Sequence, residues 1–473
     1  MSRKIEGLGV GNRWNAILGS KSAARHVFTN RDLIALIIPL VIEQLLVITL
    51  GLSDIIMVAQ LGEESVSAVS LGDSINVLIS GLFNALATGG AVVCAHYFGS
   101  KNREMISLTA KQLVYATFGL SLVITIAGVS FQRQLLHLIF GAVDARVMTD
   151  ANTYFFYSLL SYPLIALYSA AAALFRAQGN SRVSMFASLL VNILNIGGNA
   201  FCIYGLRMGV EGVAIPTFFA RGIAAVLLVV LLYQARPYRG KPPVDIKGIL
   251  KVRLNFRIIK NILGIGIPNG IENSVFQIGK ILVLTLIAGF GTSAVAANAA
   301  AATLVNFNCL PGIAMSLALI TVIGQALGTG NTEEAVYLNR KLMIITYIVM
   351  TALNIPLVFT VKYQLAVFNL RPETTELAMM MYLVHNISSI LIWPISFVLP
   401  ASLRAANDAK FTMIVSFASM WIMRVGLSYI FARYTEWGAL SIWIAMICDW
   451  IVRSIAFSIR WKHGKWKVHS NFS

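Results

Sequence analysis

LIALIIPLVIEQLLVITLGLSDIIMVAQL, residues 33–61, decides the fold. The run is long enough to cross a bilayer, for which about 20 apolar residues suffice. Glu43 and Asp54 nevertheless lie inside it. An ionisable side chain in hydrocarbon costs roughly 2.5–3.5 kcal/mol on insertion scales, so it normally faces a bundle interior or a watery cavity and has a role there. Asp54 is therefore the first candidate functional residue.

The rest of the chain matches this stretch. Its 473 residues are 57% hydrophobic and only 12% charged, with mean hydropathy +0.75, which indicates a polytopic membrane protein rather than several soluble domains. The net charge of +17 would suggest nucleic-acid binding in a soluble protein; here it is first a question of which side of the membrane carries it. Cys94, Cys202, Cys309 and Cys448 are far apart in apolar segments, so no disulfide framework is expected. The six histidines are isolated, so neither a metal site nor a cofactor is expected. Residues 1–32 are polar and basic and show no cleavable signal, which leaves the first hydrophobic helix as an anchor.

Apolar runs place twelve spans near 33–61, 69–98, 112–131, 152–175, 183–206, 211–235, 261–289, 299–326, 341–361, 374–403, 411–432 and 438–459. The expected organisation is an N-terminal tail (1–32), a lobe of helices 1–6 (33–235), a basic linker on the membrane surface (236–260), a lobe of helices 7–12 (261–460) and a tail (461–473). With both termini on one side, 27 of the 37 Lys and Arg fall on that side; six lie in the opposite loops and four, Arg221, Lys280, Arg424 and Arg453, lie within spans. By the positive-inside rule both termini are expected in the cytoplasm and the chain in the cell (inner) membrane. Anionic membrane lipids are then the natural partner of the basic face, and nucleic acid is not.

Sliding the chain by 229 residues superposes Pro39 on Pro268, Glu43 on Glu272, Gly62 on Gly291, Gly99 on Gly328 and Asn102 on Asn331, without a gap. A shift of 228 then aligns Arg176-Ala177 with Arg404-Ala405. The matches include Pro, Gly, Asn and Glu at bends and loop starts, which identifies an internal duplication. The fold class is therefore all-α and polytopic, with twelve transmembrane helices in two pseudo-symmetric six-helix lobes. Two such lobes share an orientation, so a cavity between them is the natural substrate site and alternating access the natural mechanism.

These motifs resemble the multidrug and toxic compound extrusion (MATE) transporters. The resemblance covers nearly the whole chain and is carried by IPLVIEQLLVITLGLSDIIMVAQLG (38–62), LFRAQGNSR (174–182), LNIGGNAFCIYGLRMGVEGVAIPT (194–217), GIPNGIENSVFQIGKILV (266–283) and GQALGTGN (324–331). It implies an exporter of amphiphilic, often cationic organic compounds, coupled to inward flow of H+ or Na+. In that family an acid fifteen residues after a proline on the first helix takes part in ion coupling, and Asp54 stands fifteen after Pro39. The family's asparagine, aspartate and threonine on helices five and six fall on Asn195, Asn199 and Thr217, so an amide replaces the second acid. The glutamate seen in another branch eight residues after Pro268 is Phe276 here.

On this reading Asp54, Asn195, Asn199 and Thr217 form the ion-coupling set, with Na+ an alternative to H+ near Asp54, and Asp54 is the lone carboxylate identified in its lobe's outer cavity. Asn192, Asn195 and Asn199 share one stripe of helix five, either as helix–helix glue or as a ladder lining a cavity. Glu43, with its repeat Glu272, is assigned to structure or gating near the inner mouth, together with Pro39 and Pro268, which bend their helices. Asn273, Gln277 and Lys280 form a stripe of helix seven; with Glu272, Arg424, Asp449 and Arg453 they make a second polar cluster, read as an ion-pair network or as a second coupling site. A monomer without enzymatic activity is expected, since no nucleotide motif and no nucleophile–base constellation occurs. The rival readings are a lipid-linked oligosaccharide flippase of a related duplicated fold and a membrane receptor without a transport cycle.

Overall fold

The structure, a computed structural model, describes residues 27–141, 143–251 and 253–468. Most of the N-terminal tail and residues 469–473 of the C-terminal tail lie outside the described residues. The first lobe comprises α1 (Asn30–Ala59), α2 (Glu63–Gly99), α3 (Arg103–Phe140), α4 (Ala145–Gln178), α5 (Ser181–Gly205) and α6 (Glu211–Gln234). The second comprises α7 (Phe256–Ala288), α8 (Thr292–Gly328), α9 (Thr332–Phe359), α10 (Pro372–Leu391 and Pro394–Ala405, bent by 67°), α11 (Ala409–Tyr434) and α12 (Leu440–Lys462). Eleven of these helices are individually long and apolar enough to span a bilayer, and the bent pair makes the twelfth. Several exceed the expected spans: α2 begins at Glu63 rather than 69, and α3 runs from Arg103 to Phe140 rather than from 112 to 131. Apolarity marks only the part that sits in lipid, whereas backbone hydrogen bonding carries each helix on into water.

The duplication is visible in local structure. Gly62 and Gly291 precede α2 and α8 with φ of 106° and 98°, a left-handed turn that favours glycine. Asn102 and Asn331 cap α3 and α9, their side chains accepting from Met105 N at 3.1 Å and Glu334 N at 3.0 Å. Each cap satisfies an amide that the first helical turn leaves without a partner.

The lobes close on each other at the side that carries the α6–α7 linker. There α2 packs so tightly on α7 and α8 that a Cβ at Gly89 would sit 2.4 Å from Ile262 O, and one at Gly328 only 2.0 Å from His96 O. The α7 face that makes this contact through Ile262, Gly266 and Gly270 continues, at helical spacing, to Asn273, Gln277 and Lys280. The α2 face that meets α8 through Gly99 and Ala95 continues to Val77, Ser74 and Ser70. Ser70, Ser74, Val77, Asn273 and Lys280 are exposed, so the lobes part into a cleft away from the linker.

The linker is not confined to the surface, as the sequence suggested. A tight turn with positive φ at Arg239 and Gly240 folds it back, and Val244 and Ile246 are each 2% exposed within the core. The basic composition of 236–260 concealed a few apolar side chains that find a buried groove. Lys241 follows them inward: its Nζ lies 2.8 Å from Gln325 Oε1 and 3.9 Å from the centre of the Phe28 ring.

Candidate functional site

In the first lobe, α1, α5 and α6 bring the expected coupling residues together. Asn199 Nδ2 donates to Asp54 Oδ1 at 2.7 Å and to Asn195 Oδ1 at 3.2 Å, and Asn195 Nδ2 donates to Thr217 Oγ1 at 2.7 Å. The two amides are fully buried, and among the described residues Asn199 Oδ1 has no hydrogen-bond partner. A buried acceptor without a donor is costly, and this one sits beside a carboxylate. A π-helical turn, Phe201–Gly205, follows Asn199 directly, and such turns are frequent at functional sites. Asn192 stands apart from this ladder: its Nδ2 donates to Ser188 O at 2.9 Å, so it does not reach Asp54. It lies seven residues below Asn199, about two helical turns and roughly 10 Å along the axis.

Asp54 is not the only acid in the half of its lobe away from the linker. Asp73, on α2, accepts from Tyr154 Oη at 2.8 Å and from Asn76 Nδ2 at 3.1 Å. Asn76 in turn is held by Tyr162 and Ser158 of α4. Arg221 of α6 donates to Ser161 at 3.0 Å, and Arg221 and Asp73 are the charged groups acting on Asp54. The sequence reading passed over Asp73 because it lies near the start of an apolar run, where an acid looks like a solvated helix end. The 229-residue shift would have found it: position 73 falls on Ala302 and position 54 on Val283, so both acids break the repeat.

Glu43 lies in the wall of a cavity of about 430 Å³ that is also lined by Gln44, Ser80, Asn84, Thr88, Arg221 and others. Its carboxylate pairs with Arg176 at 2.8 Å and accepts from Ser184 at 2.6 Å. Pro39 is buried one turn earlier, where Ser181 Oγ donates to Leu36 O at 2.6 Å in the turn that the proline loosens. The second lobe repeats this arrangement: Pro268 is buried, and Glu272 accepts from Ser416 at 2.8 Å and pairs with Arg404 at 3.3 Å. Arg453 adds a third contact at 3.5 Å. The equivalent cavity there is only about 180 Å³, with Phe276 and Phe397 in its wall. In the first lobe the corresponding residues are Val47 and Ser169, so bulk closes one chamber and its absence opens the other.

The rest of the second cluster is looser. Arg424, in a π-helical turn of α11, stands 4.0 Å from Asp449 Oδ2, while Asp449 Oδ1 accepts from Ser419. Lys280 has no ion pair among the described residues; its Nζ lies 5.6 Å from the centre of the Phe276 ring. Asn273 lines the smaller cavity, and Gln277 continues its stripe towards Lys280.

The MatE family model matches this chain twice, over residues 39–201 and 268–430, with the same 229-residue offset. The chain belongs to the MatE family. It is therefore a transporter and not an enzyme. Among the relatives of this MatE chain, an uncharacterized transporter, YisQ, of Bacillus subtilis is 28% identical over 92% of this chain and 94% of its own length. A probable multidrug resistance protein, NorM, of Thermotoga maritima is 23% identical over 92% and 93%. A MOP superfamily transporter from Pyrococcus furiosus superposes with a TM-score of 0.84 at 21% identity, covering 93% of this chain and 96% of that one. A structure described as the outward-facing conformation of a multidrug resistance MATE family transporter gives a TM-score of 0.83 at 20% identity, with the same coverage. At these identities the solved structures establish the fold.

Proposed function

We propose that this MatE chain is a secondary active multidrug exporter that exchanges amphiphilic, often cationic organic compounds for H+ or Na+ by alternating access. In this reading it works as a monomer in the inner cell membrane, with both termini in the cytoplasm. One observation carries it: Asp54 heads a buried ladder of Asn199, Asn195 and Thr217, in which Asn199 Oδ1 lacks a donor among the described residues. A carboxylate beside an unpaired amide oxygen suits a small cation or a proton. The large chamber offers the matching substrate chemistry. Its α2 wall presents Ser80, Asn84 and Thr88, while Ile313 and Leu317 of α8 face it. By the 229 shift, Ile313 and Leu317 are the counterparts of Asn84 and Thr88, so one wall is polar and its pseudo-symmetric partner apolar. Alternating access is supported by the tight closure on the linker side and the cleft on the other.

The test is uptake of a fluorescent cation into proteoliposomes under an imposed pH gradient or an imposed sodium gradient, for wild type and Asp54→Asn. Wild type is expected to accumulate the dye under one gradient, and the variant to fold yet lose uphill transport. Full coupled activity in Asp54→Asn would move the coupling site to the second lobe, around Asp449.

A further inference from the structure

We propose that Asp73 receives the positive charge of the organic substrate, leaving Asp54 to the coupling ion, so that the first lobe holds two carboxylates with separate tasks. The inference rests on the antiport reading above and assigns its substrate contact.

The two acids have different surroundings. Asp54 accepts from the Asn199 amide, behind which Asn195 and the Thr217 hydroxyl continue the ladder, an all-polar set suited to a small hard ion. Asp73 lies in the wall of a different cavity, of about 340 Å³, formed with Ile55, Val58, Val66, Val69 and Val77. A single carboxylate in an apolar wall is the chemistry that recognises an amphiphilic cation: the wall takes the hydrocarbon body and the acid takes the charge. Ser70, Ser74 and Val77, which also border this cavity, lie on the α2 face that farther along meets α8 through Ala95 and Gly99. The cavity therefore opens into the cleft between the lobes, where a substrate would pass.

The carboxylate is held ready for such a ligand. Tyr154 and Asn76 both bond to Oδ1, and among the described residues no partner is bonded to Oδ2. The tyrosine is fixed by the helix it reaches: a Cβ at Gly72 would meet its ring at 2.7 Å. Only glycine lets the ring lie this close to α2, and the ring aims its hydroxyl at Asp73.

The experiment measures ethidium binding to the full chain in phospholipid nanodiscs and gradient-driven ethidium transport in proteoliposomes, for wild type, Asp73→Asn, Asp73→Glu and Asp54→Asn. Asp73→Asn is expected to weaken binding and raise KM by roughly tenfold to a hundredfold, the loss of one charge-assisted contact, with the saturated transport rate within about twofold of wild type. Asp73→Glu should recover most of the affinity, which a purely structural role for the hydrogen-bonded oxygen would not produce. Asp54→Asn should bind ethidium within about twofold of wild type while losing uphill transport. Unchanged affinity in Asp73→Asn overturns the assignment, and so does an equal loss of affinity in Asp54→Asn, which would mean one shared site. Absence of gradient-driven transport in wild type would instead overturn the antiport reading itself. Should Asp73→Asn fail to fold, as judged by its melting temperature, Tyr154→Phe provides the check. It keeps the charge and removes one bond to Oδ1, so affinity should fall by less than about tenfold, and a complete loss counts against Asp73 as the charge receptor.

Discussion

His96 and Gln325 hold the same place in the two lobes, 229 residues apart, and each closes the same gap towards the other lobe. His96 Nε2 lies 2.7 Å from Ala405 O, and Gln325 Nε2 lies 2.6 Å from Ala177 O. Ala177 and Ala405 are themselves counterparts in the repeat. The seal is thus one contact made twice, around the axis that relates the lobes. Thr321 reinforces the Gln325 copy by donating to Arg176 O at 2.9 Å.

Gln325→Ala should loosen this side of the protein. It leaves the buried carbonyl of Ala177 without its donor, at a cost of about 1–3 kcal/mol, or roughly 5- to 150-fold in the balance between closed and open states. Spin labels at Lys101 and Glu333, exposed on opposite lobes beside the seal, should report a new longer-distance population. A distance distribution identical to that of the unaltered protein would show that the bond does not hold the lobes together.

The two buried glutamates should respond unequally to loss of an arginine. Among the described residues Arg176 is the single ion-pair partner of Glu43, whereas Glu272 has both Arg404 and Arg453. Removing one partner of a buried pair costs about 3–5 kcal/mol when a charge is stranded. Arg176→Ala should therefore lower the melting temperature in detergent more than Arg404→Ala does. Equal losses would argue that Arg453 does not substitute for Arg404.

Closure on the linker side should strengthen as pH rises through neutrality. Burial lowers the Lys241 amine to about 7, against Asp32, which favours its charge, and alongside Arg239, which opposes it. Its side chain also faces Gln325 and the Phe28 ring. The sign follows from proton counting: an exposed lysine stays protonated up to about 10.5, so between 7 and 10.5 the state with Lys241 exposed binds more protons than the closed state. Rising pH in that window favours closure by up to about 1.4 kcal/mol per unit, and below 7 the gain is absent. The same spin-label pair, followed from pH 6 to 9, should lose its long-distance component. Lys241→Met should make the distribution insensitive to pH, and a persistent pH dependence in that variant would assign the effect to another group.

The polarity of the large chamber can be tested by making its two walls alike. Asn84→Ile places on α2 the residue that its counterpart, Ile313, already presents on α8. The variant should fold, and KM for a cationic dye should rise about two- to tenfold, the worth of one neutral polar contact. An unchanged KM would remove Asn84 from the substrate path.

Much of the architecture was legible in the chain, and the limits of that legibility are physical. Apolar run length found the twelve spans because lipid acts on each helix separately, although it misjudged where α2 begins and where α3 begins and ends. The 229-residue offset found the two lobes, and the family resemblance pointed to the ladder of Asp54, Asn195, Asn199 and Thr217 that the structure assembles. Asn192 shares the stripe but lies two turns away from the acid, since a helical face says nothing about depth. Arg176 was aligned with Arg404, yet its pairing with Glu43 across 133 residues was not read. Asp73 and Lys241 were missed for a related reason: each lies in a segment whose local composition describes a solvated end or a surface linker.

The sequence by itself determined that this protein is a duplicated twelve-helix membrane bundle with an acid buried in its first helix. Those properties depend on hydrophobicity and periodicity, which are carried by neighbouring residues. Only the tertiary structure decided which charges meet, which of two equivalent chambers stays open and which side of the molecule is sealed. Each of these depends on side chains brought together from different helices, and packing between helices is set by shape and partner rather than by local pattern.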